Sequence, residues 1–129
     1  MTDLDVPTGR GSASTAISNG ISKLHHDFYG RGPDNVRTVI GHDHVISFLE
    51  DIYMPVERTL LEAGEVDAVV QTRLAFQRAM ETRFVDCVEQ AMGRKVRAFL
   101  SQVHVDPDIS VEIFVLERDA NHPAPYGVG

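Results

Sequence analysis

The chain has 129 residues, a net charge of −7 and 43% apolar residues. This length fits a single domain that buries about two-thirds of its unfolded surface. The acidic balance argues against a nucleic-acid binder, which would carry a basic stripe to offset phosphate charge. No run approaches the roughly 20 apolar residues of a membrane span, so we expect no direct membrane insertion. A single cysteine, Cys87, cannot form an internal disulfide, which fits a reducing cytoplasm.

The first part of the chain predicts a tail and an amphipathic helix. Residues 1–12 offer little to bury, and we expect a disordered tail there and no secretory signal. From about Ser14, apolar residues recur at steps of three and four as far as Phe28, which is typical of a helix with one buried face. Ser14 or its hydroxyl neighbours would cap this helix, and Gly30 would end it because glycine adopts the left-handed cap conformation without steric cost.

Two β-branched runs, at residues 36–40 and 45–49, follow the helix. The short, turn-forming segment between them predicts an antiparallel hairpin. A short helix then begins near Pro55, since proline fits the first helical turn. Gly64 would end it.

Residues 65–92 predict one long helix that ends at Gly93. If continuous, it would measure about 40 Å, which is longer than a small sheet can cover. We therefore expect part of it to pack against another subunit or a partner, and we predict a homodimer. Four apolar residues at steps of four are the interface candidates, with a core stripe as the alternative: Phe76, Met80, Phe84 and Val88.

Two further strands, at residues 96–105 and 109–116, flank a turn rich in Asp and Pro. The last strand alternates between a fully apolar set (Ile109, Val111, Ile113, Val115) and a mixed set (Ser110, Glu112, Phe114, Leu116). We expect this strand to be at least half buried.

The element order α-β-β-α-α-β-β predicts an α+β, two-layer fold. Two hairpins would form a four-stranded antiparallel sheet with helices packed on one face. We expect the domain to span residues 13–117, followed by a flexible tail at 118–129.

Signals for chemistry are few. The glycine turn Gly30–Pro33 lies after a helix and before a strand, the reverse of the order in a phosphate-binding loop. A tight turn is therefore the favoured interpretation. The alternative is a small-molecule or anion site near this turn, whose weak candidates are Arg31, Gly32, Arg37 and His104.

Histidines and aspartates at the two hairpin turns are the metal candidates: His42, His44, His104, Asp106 and Asp108. They would converge on a divalent ion only if both turns lay at the same edge of the sheet. Because their spacing matches no zinc pattern, we expect no metal and no cofactor. We also expect Cys87 to be a buried thiol and not a nucleophile.

Several motifs together carry a family resemblance over about residues 14–117: Ile17-Ser18-Asn19, Leu24-His25, Tyr29–Pro33, Glu57–Gly64, Arg97–Ser101 with His104 and Asp106–Asp108, and Val111–Glu117. The chain resembles a small bacterial family labelled MpsC, a component of a sodium-translocating, membrane-potential-generating system. The resemblance implies association with a membrane system for ion or inorganic-carbon movement, and it brings no established catalytic residues.

Together these observations favour a cytoplasmic, non-enzymatic accessory or regulatory protein. We expect a homodimer that docks on a membrane transport complex through the long helix or an exposed sheet face. The first alternative is the anion or small-molecule sensor, and the second is a metal-dependent hydrolase that uses the turn histidines and aspartates.

Overall fold

The computed structural model describes residues 9–118. Its elements are α1 (Gly9–Tyr29), β1 (Asn35–Ile40), β2 (His44–Glu50), α2 (Pro55–Glu62), α3 (Val66–Met92), β3 (Val96–His104) and β4 (Ile109–Leu116). The predicted α+β class and the order α-β-β-α-α-β-β are both confirmed. None of the helices within this range is long and apolar enough to cross a membrane.

The four strands form one antiparallel sheet in the order β1-β2-β4-β3. The two central strands pair from His44 opposite Val115 to Glu50 opposite Ile109. The turn that begins β2 therefore lies at one end of the sheet, and the turn that begins β4 lies at the other. Six residue steps separate these ends, a distance of about 20 Å.

Helices α1 and α3 pack on the same face of the sheet, and α2 packs against α3. Long aliphatic and aromatic side chains from α1, α3, β2 and β4 form the core: Ile17, Ile21, Met80, Phe84, Val88, Val45, Leu49, Phe114 and Leu116. Each of these side chains is almost completely removed from solvent. The helices therefore form one layer and the sheet forms the other, as predicted.

The opposite side of the sheet, here called the open face, is apolar over its centre. Its apolar residues alternate with the helix-facing ones along each strand: Val39, Ile46, Phe48, Leu100, Val111, Ile113 and Val115. Val39 and Leu100, on the two edge strands, are 43% and 51% exposed. The fully apolar set of β4 thus lies on the open face, whereas its mixed set, with Ser110 and Glu112, faces the helices.

Helix α1 differs from its prediction at the start and agrees at the end. It begins at Gly9, so the expected tail boundary at residue 12 falls inside the helix. The hydroxyls of Ser14 and Thr15 donate to the carbonyl of Gly11 at 2.9 and 3.1 Å. They therefore bond back within the helix and do not cap it. Gly30 ends α1 with a φ of +98°, as predicted; the other predicted tail residues, 1–8 and 119–129, lie outside the described range.

Helix α3 is continuous over 27 residues and ends where glycine was expected to end it. Gly93 has a φ of +66°, and its N–H donates to the carbonyl of Glu89 at 2.8 Å. Along its length α3 approaches α1 closely at Gly20. A Cβ atom at that position would lie 2.5 Å from Sγ of Cys87. Gly20 therefore sets how near the two helices come.

We predict that Gly20→Ala lowers the free energy of unfolding by about 1–3 kcal/mol, because the added methyl group overpacks the contact with Cys87. Gly11→Ala is the matched control, since nothing lies within 4 Å of a Cβ at that helical position. Urea unfolding of both variants measures the difference. Adding Cys87→Ala to Gly20→Ala should cost less than the two single changes together. Equal stabilities for the two glycine variants would contradict the close approach.

Candidate functional site

A buried ion pair joins α3 to the start of β4. Nη1 of Arg73 donates to Oδ1 of Asp108 at 2.7 Å, and the two side chains are 3% and 7% exposed. The second carboxylate oxygen, Oδ2, accepts the backbone N–H of Ile52 at 2.6 Å and that of Tyr53 at 2.8 Å. A buried carboxylate is stable when its oxygens are paired in this way. The pair therefore fixes the segment after β2 against the sheet.

The ring of Tyr53 packs against one side of the ion pair. The guanidinium of Arg73 lies 4.8 Å from the centre of the Tyr53 ring, a cation–π contact. The Tyr53 hydroxyl donates to the carbonyl of Val105, in the turn between β3 and β4. Burial is the main cause of the raised pKa of Tyr53. The neutral phenol is therefore held as a donor to the turn.

Glu112 forms a second buried polar contact, further along β4. Its Oε2 accepts Nε2 of Gln77 at 2.9 Å, and its Oε1 accepts the hydroxyl of Ser101 at 2.6 Å. Burial raises the pKa of Glu112 to about 8, although both hydrogen bonds favour the charged form. A carboxyl in this position is mostly protonated at neutral pH.

The end of α1 supplies a third group of buried polar contacts. We call the three groups together the polar layer: the ion pair of Arg73 and Asp108, the contacts of Glu112, and those of Tyr29 and Glu57. The Tyr29 hydroxyl donates to Oε2 of Glu57, whose Oε1 accepts the backbone N–H of Met54 at 2.8 Å. The Tyr29 pKa is raised, first by burial and then by the Glu57 carboxylate. Glu57 therefore both caps α2 and anchors α1.

His25 is held neutral in the same region. Its Nδ1–H donates to the carbonyl of Arg31 at 2.9 Å, since a carbonyl only accepts. Burial lowers the His25 pKa to about 4. Its ring packs at 4.9 Å from Tyr29 and 5.0 Å from Phe76. His25 therefore fixes the glycine turn to the helix layer.

Three buried polar atoms in this layer have no hydrogen-bond partner among the described residues: Nη2 of Arg73, Oε1 of Gln77 and Oγ of Ser110. The different rise of a helix and a strand accounts for the Ser110 hydroxyl. Four residues advance α3 by about 6 Å but β4 by about 13 Å. Arg73 and Gln77 must therefore splay to reach Asp108 and Glu112. Ser110, which lies between those two acids on the same side of β4, is left without a partner.

A groove of about 650 Å³ lies beside the ion pair, between α2 and the β3–β4 turn. Its lining combines acidic and apolar side chains: Asp51, Tyr53, Arg58, Leu61, Glu62, Val66, Val105, Asp106, Pro107 and Asp108. Acids outnumber the single arginine, so the potential in the groove does not favour an anion.

The four predicted ligand candidates do not form a common site. Arg31 donates to the backbone carbonyl of Asp51 and to Oδ1 of Asp34 at 3.0 Å. Gly32 belongs to the turn that His25 fixes. Arg37 lies on β1, with its guanidinium 4.3 Å from the centre of the Phe48 ring.

His104 lies on the opposite edge strand from Arg37. Its Nδ1 forms a 2.8 Å hydrogen bond with the carbonyl of Pro107. Strands β1 and β3 are separated by the two central strands, a width of about 14 Å. The arginine and histidine candidates are therefore held by separate contacts at different places in the fold.

The predicted interface stripe of α3 belongs to the core. Met80, Phe84 and Val88 are at most 2% exposed, and Phe76 packs against the same cluster and the His25 and Tyr29 rings. The sheet and α1 already cover these side chains, which leaves them little surface to offer a partner. Because α3 contacts α1, α2 and β3 within its own chain, its length alone does not require a second subunit.

The condition for the metal hypothesis is not met. His42 and His44 lie at one end of the sheet, whereas His104, Asp106 and Asp108 lie at the other. Among residues 9–118 no group of three or more His, Cys, Asp or Glu side chains is placed to hold an ion. Cys87 is half-buried, and burial raises the pKa of its thiol.

The polar layer was missed in the sequence, although a signal for it is present. The buried stripe of α3 passes through Arg73 and Gln77 before it becomes apolar at Met80. One side of β4 likewise begins with Ser110 and Glu112 and becomes apolar at Phe114. Polar residues at the same end of two buried faces indicate that the faces meet there.

We predict that Glu112→Gln removes a pH dependence of stability. The pKa of Glu112 is about 8 in the folded chain and 4.5 in the unfolded chain, so the folded chain binds this proton more tightly. The resulting contribution to the free energy of unfolding is complete below pH 4.5 and is lost as the pH rises to 8. The lowered pKa of His25 has the opposite effect: it reduces the free energy of unfolding as the pH falls, but only below the ordinary histidine pKa of 6.5. Between pH 6.5 and 8, Glu112→Gln should therefore gain roughly 1–2 kcal/mol relative to the parent.

Urea unfolding at several pH values measures this difference, with the exposed Glu81→Gln as the matched control. Glu81→Gln should follow the parent at every pH. Parallel pH profiles for Glu112→Gln and the parent would show that Glu112 is ionised in the folded protein at neutral pH.

We further predict opposite effects for two serines of this layer. Ser110→Ala removes a buried hydroxyl without a partner and should leave the free energy of unfolding unchanged or raise it by up to about 1 kcal/mol. Ser101→Ala removes the donor to Glu112 and should lower it by about 0.5–1.5 kcal/mol. Thermal unfolding of both variants tests this. A loss in Ser110→Ala as large as in Ser101→Ala would mean that the Ser110 hydroxyl is hydrogen-bonded.

Comparison with known proteins places these features in a family. Residues 9–118 match the family model described as "Na+-translocating membrane potential-generating system (MpsC)". Among its relatives are two uncharacterized proteins of Bacillus subtilis (strain 168). YbcI is 28% identical over 111 residues, which cover 85% of this chain and 90% of YbcI. YrhF is 26% identical over 101 residues, which cover 76% of this chain and 82% of YrhF. No solved structure matches the chain significantly. Because the family model covers the whole described fold, the chain belongs to the MpsC family.

Proposed function

We propose that the chain is a cytoplasmic, non-enzymatic accessory protein that works as a homodimer and docks on a membrane ion-transport system. The family description supplies the context of that system. The observation that carries the proposal is the open face, a contiguous apolar surface on an otherwise charged chain. Exposed apolar surface of this kind is typical of protein interaction sites.

The state of the ionisable groups in the interior supports a binding role. Arg73 and Asp108 neutralise each other, and Glu112 is paired with Ser101 and Gln77. All three ionisable side chains are below one-tenth exposed. They therefore act on the chain itself, and a substrate in solvent has little access to them.

The charge of the chain supports docking on a protein and not on lipid. A net charge of −7 opposes contact with an anionic bilayer surface, which attracts basic segments. Contact with the membrane system therefore runs through a protein component. The acidic, partly apolar groove beside α2 offers a surface for such a component that is separate from the open face.

We predict that the purified chain sediments with inverted membrane vesicles from its own cells. It should not sediment with liposomes made from the lipids of the same membranes, because its acidic surface has no attraction for them. Trypsin treatment of the vesicles before mixing should abolish binding. Binding to liposomes equal to that to vesicles, or no binding to vesicles, would contradict docking on a membrane protein.

The physiological part of the proposal has its own measurement. Deletion of the gene should lower the sodium-dependent part of the membrane potential, read with a potential-sensitive dye. A plasmid copy of the parent gene should restore it. A deletion strain with an unchanged sodium-dependent potential would contradict a role in this system, whatever the vesicle result.

A further inference from the structure

The centre of the open face is a row of four aliphatic residues that crosses the whole sheet. The register places Val39 beside Ile46, Ile46 beside Ile113, and Ile113 beside Leu100. Phe48 and Val111 continue the apolar surface on one side of this row, and Val115 continues it on the other. The helices pack on the opposite side of the sheet, and their side chains make no part of this surface.

The open face is electrically balanced, unlike the chain as a whole. Among its residues with a partner in the strand register, the charged ones are Arg37 and Glu50, one of each sign, and its two histidines, His44 and His104, lie at opposite ends. The exposed Arg97 lies next to this face, at the bulge of β3. The guanidinium of Arg37 forms a cation–π contact with the Phe48 ring, so its charge lies over an apolar side chain. Two molecules that each carry −7 repel one another over most of their surfaces. They meet with least repulsion through this face, which does not share the acidic excess of the chain.

The size of the face fits a second copy of the chain. Four strands about 4.8 Å apart and six to nine residues long give a flat footprint of about 450 Å². Because side chains project from the sheet, the accessible area of the open face is larger than its flat footprint. The residues around its edge add further area. The footprint is somewhat more than half of the roughly 800 Å² per partner of a standard interface, so the polar rim supplies the remainder. Two sheets also pack face to face in many folds, about 10 Å apart.

The aliphatic row is complementary to itself under two-fold symmetry. A two-fold axis parallel to the strands reverses the strand order, so Val39 of one copy lies over Leu100 of the other. A two-fold axis across the strands lays each residue of the row over its own counterpart. In both arrangements apolar side chains meet apolar side chains, as an isologous dimer requires.

We propose that two copies of the chain associate open face to open face, so that each sheet becomes the cover of the other. This inference rests on the homodimer of the proposed function and names its interface. The edge residues Val39 and Leu100, which are the most exposed apolar side chains of the face, are buried by the partner. The outer surface of the helix layer and the groove beside α2 then remain free for docking.

The test is sedimentation velocity of the full chain between roughly 1 and 100 µM, which covers the weak end of the affinities seen for standard interfaces. The informative variant is Leu100→Glu, which brings a carboxylate into the two-fold contact twice. Val56→Glu is the matched control, since Val56 is 61% exposed on α2, away from the open face. We expect dimers for the parent and for Val56→Glu. For Leu100→Glu we expect a dissociation constant raised about 100-fold, because the two carboxylates lose solvent in the dimer.

Val39→Glu gives a second probe from the opposite edge of the sheet, and it should dissociate the dimer as Leu100→Glu does. Circular dichroism and a melting curve confirm that each variant is folded, which half-exposed positions favour. A dimer that survives in both open-face variants would overturn the inference and leave the homodimer standing. A parent chain that is monomeric at every concentration would overturn both the interface and the homodimer. Docking would still be judged by the vesicle experiment.

Discussion

The ion pair of Arg73 and Asp108 joins the parts of the chain on which the rest of the structure depends. Through it α3 is bound to the start of β4, and the same carboxylate holds the backbone of the segment that follows β2. Tyr53, which covers the pair, extends the contact to the β3–β4 turn. Removing either charge would leave the other buried and unpaired, a change that costs about 3–5 kcal/mol in other proteins.

This pair also sets how the helix layer lies on the sheet. Once Arg73 is fixed at Asp108, Gln77 comes within reach of Glu112 and the apolar half of α3 covers the apolar half of β4. The different rise of a helix and a strand leaves Ser110 without a partner between the two contacts. The polar layer thus fixes the position of α3 along β4, which apolar contacts alone would define less closely.

Strand β4 carries its polar residues on the side that faces the helices and its fully apolar set on the open face. A sheet with one covered side normally presents its polar side chains to solvent. In this chain the covered side of β4 carries Ser110 and Glu112, and the outer side carries Val111, Ile113 and Val115. The two acids of the polar layer, Asp108 and Glu112, find their hydrogen-bond partners within the chain, whereas the apolar set of β4 stays on the side of the sheet that no helix of the described residues covers.

Local sequence patterns determined the elements of the fold. The periodicity of α1 and α3, the glycines at 30 and 93, the proline at 55 and the β-branched runs of the two hairpins all act over a few residues. They predicted every helix and strand and the two-layer class, whereas the family came from the resemblance of several motifs taken together. The start of α1 was placed too late because serine hydroxyls bond back within a helix as readily as they cap one.

Only the tertiary structure decided which faces are covered. Alternation along β4 showed two different sides but could not say which one α3 would choose, since that choice depends on Arg73 and Asp108, 35 residues apart. The stripe from Phe76 to Val88 is a second example. Its spacing fits a core and an interface equally well, and only the packing of α1 and the sheet against it shows that it is core. The metal and anion candidates likewise depended on which hairpin ends meet, and strand order is set by long-range pairing. Sequence patterns fix what a segment is, whereas contacts between distant segments fix what it faces.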